Sequence, residues 1–280
     1  MAVFHLRSIS LPSRSHPLAV NIEEQLCKLR ASQSSSIGHK LSGLKNLFES
    51  VDDFLQLSFA QRTISHDRQS QSLENAMNGS LELLDICDTT RDLFSQMKEC
   101  LQELELSLRR RNSSLTREVD AYMLSRKKLN KAICKCLRNL KKKERNCTTA
   151  TLENNSNLEN MISMLREVQK ISLVAFESIL SFISQPKVKS SPSGWFAIPK
   201  LLQPKRVSYE VEIEVNEAEK IDAELLHLKS SKDINISQLQ NLLKELEAFE
   251  SSIKEAEEEL ECIYRRMVKT RVSLLNILNH

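Results

Sequence analysis

Glycine is nearly missing from this chain: Gly38, Gly43, Gly79 and Gly194 are the only four in 280 residues. Tight turns and phosphate-cradling loops need glycine for positive φ or for close backbone approach. So small a supply argues against a Rossmann domain, a P-loop or a turn-rich β fold. Aromatic residues are also scarce, at 5%, which suits a leucine-packed helical bundle. Seven cysteines are present, an odd number with no CxxC pair. That pattern favours a reducing cytosolic or nuclear compartment over a disulfide framework. No apolar run reaches the roughly 18 residues of a membrane span. The nearest, Ile171–Ile183, is shorter and carries Glu177. Arg7, Pro12 and Arg14 interrupt the start, so no secretory signal is expected. The Arg/Ser-rich, acid-free composition there is that of an organellar transit peptide, although its prolines oppose an amphipathic helix.

What the chain does contain is hydrophobic periodicity and segregated charge. Hydrophobic residues make up 40% and charged residues 28%, a globular balance sufficient for one or two domains. The net charge is only +3, but residues 126–145 hold ten Lys/Arg against one acid, Glu144, while residues 245–261 hold eight Glu against one Lys. The electrostatics are therefore regional.

The pattern predicts an all-α protein: long amphipathic helices in an elongated bundle, closed by a heptad-patterned C-terminal helix. Residues 1–20 read as a flexible basic arm, 21–184 as a helical region, 185–215 as a Pro/Lys-rich connector, and 216–280 as a second helical region packed on the first. Asn21 and Glu24 form a capping-box pattern for a first helix. A second is expected over 39–57, a third over 69–110, a basic helix over 114–145, and a fifth ending before Gln185-Pro186. Val207, Tyr209, Val211, Ile213 and Val215 alternate like a strand. With no second run to pair with, this segment is expected to be extended and to pass into a helix over 216–229. From Leu239 to Ile277 apolar residues recur at spacings of three and four, which is a heptad seam.

Three stretches carry a family resemblance: FHLRSISLPSRSHP with EEQLCKLR, then SLELLDICDTTRDLFSQMKECLQELELSLRRR, then KTRVSLLNILNH. With GWFAIPKLLQPKRV between the last two, the chain resembles the plant BYPASS-related proteins of domain-of-unknown-function family 241. Phe59 departs from the pattern, where the family's proline is expected. The resemblance implies a helical plant protein connected with root and shoot development. It implies no enzymatic activity and supplies no catalytic, metal or cofactor residues.

The residues themselves point the same way. Asp85, Asp88 and Asp92 share a helix face, but one helix offers too few oxygen ligands for a cation, and Arg91 makes an ion-pair cluster the simpler account. Glu224 and His227 form a single ExxH, whereas a bundle di-metal site needs two such motifs and two further Glu. Ser65, His66 and Asp67 are sequence neighbours, which is not how a triad is built. Cys134 and Cys136 lie among cations that could activate a thiol, with packing as the alternative. No enzyme, cofactor or metal is expected.

Three candidate contact features remain. The basic patch comprises Lys127, Lys128, Lys131, Lys135, Arg138, Lys141, Lys142 and Lys143. It reads as a membrane-surface or calmodulin-target helix, as a nuclear-import or nucleic-acid patch, or as a solvated face partly neutralised by the acidic final helix. The absence of interleaved aromatics weighs against nucleic acid. Trp195 and Phe196 are a candidate connector anchor, docking onto the bundle or dipping into a membrane interface. Arg7, Ser8, Ser10 and Pro12 match a phospho-reader motif for a 14-3-3 protein, with Ser10 the candidate phosphosite. The leading expectation is a non-enzymatic adaptor with protein partners. A peripheral membrane protein is the alternative. The expected location is cytoplasmic, with membrane-peripheral and nuclear placements as variants.

Overall fold

A computed structural model describes residues 16–32, 36–66, 69–110, 115–147, 157–184, 217–230 and 236–279. These form eight helices and no strand: α1 (Pro17–Ala31), α2 (Ile37–Leu55), α3 (Ser58–His66), α4 (Gln71–Arg109), α5 (Leu115–Cys147), α6 (Asn157–Ile183), α7 (Glu217–Ser230) and α8 (Ile236–Asn279). The predicted all-α class is observed. The whole connector over 185–215, with its strand-like stretch over 207–215, lies outside the described residues, as do residues 1–15 of the arm. The helix expected after that stretch is α7.

Two boundaries differ from expectation. The first helix starts at Pro17, not Asn21, because proline at the first position is pre-set for helix and the His16 side chain accepts a hydrogen bond from the Leu18 N–H at 3.2 Å. Asn21 instead lies inside the helix and donates to Ser50 Oγ of α2 at 3.0 Å. The second helix stops at Leu55 and a separate short helix, α3, follows. Phe59 sits at its second position and packs on the core. Proline would also be accommodated there.

The two longest helices form the spine. Arg271 of α8 donates to the Met77 carbonyl of α4 at 2.6 Å, and Arg109 of α4 pairs with Glu247 of α8, so the two run antiparallel. On its 44 residues α8 reaches about 66 Å. Its heptad seam is core: Leu242, Leu246, Phe249, Ile253, Ala256, Leu260, Ile263, Met267 and Leu274 are all buried. Helix α2 runs parallel to α8, since Lys45, Glu49 and Asp52 pair in order with Glu259, Arg266 and Lys269. Helices α5 and α6 pack against α4, with α7 laid mainly on α5 and α8.

Candidate functional site: the surfaces of α5 and α8

The charge distribution decides which faces are free. Five of the eight glutamates over residues 245–261 of α8 meet a cation or an amide of α4 or α2. Glu247 pairs with Arg109, Glu257 with Lys98 and Glu261 with Arg91. Gln102 donates to Glu250 at 2.6 Å, and Lys45 of α2 binds Glu259 at 2.9 Å. Arg91 also lies over the Tyr264 ring, 5.0 Å from its centroid.

The basic helix is therefore not neutralised by the acidic one. That expectation is corrected: α5 and α8 both pack on α4 and are not packed face to face. Opposite charge runs suggested a pairing, but apolar stripes determine which helices meet, and α4 supplies the cations α8 needs. Within the patch, Lys141 reaches Glu177 of α6 and Lys143 reaches Glu82 of α4, each at 2.9 Å. The Glu177 carboxylate raises the pKa of Lys141 through a hydrogen bond and its charge. Arg138 donates to the Cys134 carbonyl of its own helix at 3.2 Å. Lys127, Lys128, Lys131, Lys135 and Lys142 are exposed and have no carboxylate partner among the described residues.

The first cation of the basic run behaves differently. Arg126 is 0% exposed. Its guanidinium donates to the Ile183 carbonyl at the end of α6, at 2.9 Å, and faces Asp222 of α7 at 3.4 Å. The Tyr122 hydroxyl donates to the other Asp222 oxygen at 3.0 Å. A cation at a helix C-terminus satisfies carbonyls that lack intrahelical partners, so one side chain closes α6 and holds α7. Burial, with the Asp222 charge behind it, pushes the Tyr122 phenol well above its usual range. The sequence contained the signal. Arg126 falls on the three-and-four stripe of Val119, Tyr122, Leu129, Ile133, Cys136 and Leu140, all buried. Its charge groups it with the basic run over 126–145, although its position is on the apolar stripe.

The residues of the enzyme-like arrangements make local contacts. Asp88 pairs with Arg91 at 3.3 Å within α4. Glu224 shares a hydrogen bond with Glu245, and burial and that neighbour raise its pKa. Ser65 donates to the Arg62 carbonyl, and Asp67 lies outside the described residues. Burial raises the Cys136 thiol pKa rather than lowering it. Among the described residues no group of three His, Cys, Asp or Glu could hold a metal ion. A cleft of about 420 Å³ lies between α1, α3 and α6, floored by Leu26, Phe54, Phe59, Met161 and Met164. Arg30 and Glu167 pair across its mouth. Arg7, Ser8, Ser10, Pro12, Trp195 and Phe196 all lie outside the described residues.

One apolar surface was missed. Val268, Val272 and Leu275 are exposed on α8 at 36%, 47% and 39%. Their four-then-three spacing puts them on one face, opposite the seam. Leu81 of α4, 44% exposed, follows Ser80, which accepts from Arg271 at 2.8 Å, so it lies beside this part of α8. The seam's regularity drew attention from these residues, although they could be found as the apolar positions left outside it.

Fold and surface together define an α-helical bundle protein whose outer faces carry one cationic row and one apolar row. A family model described as Protein BPS1 matches residues 40–277, so the chain belongs to the BPS1 family, a plant family connected with development. No curated protein and no solved structure matches the chain.

Proposed function

We propose that this chain is a non-enzymatic helical adaptor or regulator of plant root and shoot development, and that a protein partner docks on the outer apolar face of α8. The supporting observation is the row Val268, Val272 and Leu275, solvent-exposed beside Leu81 while the seam of the same helix is fully used as core. Isolated surface hydrophobes need no explanation, but an aligned row is how one helix is offered to another. Exposed Arg265 borders the row and is paired with Glu261 at 2.7 Å, so the matching partner is an amphipathic helix offering an apolar stripe. Val272→Asp with Leu275→Asp should leave the melting temperature unchanged and abolish capture of the partners that the wild-type protein recovers from plant tissue. An unchanged partner set would refute this face. A second reading, peripheral membrane association, is supported by a different observation: the unpaired lysines of α5.

A further inference from the structure

The outer face of α5 is a straight row of cations. Taking Lys128 as the start, Lys131, Lys135, Arg138 and Lys142 follow at steps of three, four, three and four. That spacing keeps them on one side of the helix over about 21 Å. Lys127 sits beside the row, and exposed Leu124 continues it by one turn. The opposite side of the helix carries Tyr122, Arg126, Leu129, Ile133, Cys136 and Leu140, all buried. The row therefore points directly away from the bundle. Among the described residues it faces no carboxylate, whereas Glu247, Glu257 and Glu261 of α8 meet cations of α4 across the helix interface.

We infer that this face docks flat on an anionic lipid bilayer, held by headgroup charge without insertion of the helix. The inference rests on the membrane reading of α5 and specifies its lipid chemistry and mode. Three features select this occupant. First, five of the six cations are lysines, compact point charges on flexible stems, which suit a diffuse plane of negative charge; bidentate phosphate recognition favours arginine. Second, no aromatic residue stands on the row to stack a base, and Tyr122 is buried. Third, apart from Leu124 at one end, the face has no apolar side chain. A protein interface draws its affinity from a desolvated apolar or aromatic centre, and insertion into a bilayer needs an apolar face, which α5 has already spent on the core.

The test is sedimentation of the full chain with vesicles of phosphatidylcholine alone or mixed with phosphatidylserine, at low and high salt. The chain should pellet with the mixed vesicles at low salt, and not with phosphatidylcholine alone or at high salt. Lys128→Glu, Lys131→Glu, Lys135→Glu and Lys142→Glu together should lower the bound fraction by about tenfold or more with the melting temperature unchanged. The same number of reversals at exposed lysines on other helices, Lys28, Lys220, Lys244 and Lys254, should leave most of the binding intact. Equal loss in both variants would reduce the effect to net charge and overturn the proposal. So would binding of duplex DNA or polyglutamate by α5 with no retention on the mixed vesicles. The α8 substitutions should bind vesicles normally, so failure of the lipid face and failure of the protein-docking face are separately readable.

Discussion

Helices α8 and α5 carry the two charge runs of this chain, and they use them in opposite ways. Glu247, Glu257, Glu259 and Glu261 of α8 meet cations of α4 and α2, while most lysines of α5 meet water. A run of like charge says nothing by itself about neutralisation. What matters is whether the charges flank the apolar stripe or oppose it. Lys98 and Glu257 flank their helices' contact, and their side chains are 28% and 18% exposed. Lys131 and Lys135 stand opposite the stripe and meet no carboxylate among the described residues.

The largest break in this comparison would come from charging the seam of α8. Leu260 is 0% exposed, so Leu260→Asp buries an unpaired carboxylate and should cost several kcal/mol, on the order of the whole stability of a domain. A melting curve that barely moved would mean the seam is open to solvent.

Next comes the buried pair between α5 and α7. Asp222→Ala strands Arg126 without a counter-charge, and the expected loss is about 3–5 kcal/mol in urea unfolding. Combining it with Arg126→Met should recover much of that loss, because a buried ion pair adds little over apolar packing. If the double variant is no better than the single one, the pair is not the unit that holds α7.

The paired and unpaired lysines can then be set against each other. Lys98→Glu should destabilise by roughly 1 kcal/mol at low salt, with less effect at high salt. Lys135→Glu should change nothing at either. Equal effects would erase the distinction between the two faces.

Alkaline pH supplies a smaller effect. Burial pushes the Cys87 thiol up to about 12, and Tyr122 is shifted in the same direction. A folded-state pKa above the unfolded value means that the neutral form is held by the fold. That contribution is complete below the ordinary thiol value of 9 and is lost progressively as pH rises towards about 12. Stability should therefore fall over this window, and the fall should be shallower in Cys87→Ala. A Cys87→Ala variant with the wild-type slope would show that the thiol is not buried as described. Exposed Cys27 should be alkylated long before Cys87.

Smallest in its effect on the fold is modification of the arm. A peptide of residues 4–16 phosphorylated at Ser10 should bind a 14-3-3 protein at about micromolar affinity, and the unphosphorylated form should not. Binding by both forms, or by neither, would remove the switch and leave only a basic tail.

Helices were legible because their signal is local. Spacings of three and four named nearly all of the buried face of α8 and placed α4, α5 and α6 within a few residues. Pro17 and the α2–α3 break were less legible, since caps and single-turn stops depend on hydrogen bonds that propensity does not encode. The contact surfaces were half legible. The exposed lysines of α5 were legible in the charge run, but the buried place of Arg126 at the start of that run and the Val268 row were not.

The sequence by itself determined that the chain is helical, which stripe of each helix is apolar, and where charge of each sign is concentrated. Those properties follow from residue order at a 3.6-residue period. Only the tertiary structure decided that α4, rather than α5, answers glutamates of α8, and that Arg126 closes α6 while Lys127, Lys128, Lys131, Lys135 and Lys142 have no carboxylate partner among the described residues. Helix pairing is settled by the fit of whole apolar stripes across residues far apart in the chain, and each charge takes whatever neighbour that packing brings within reach.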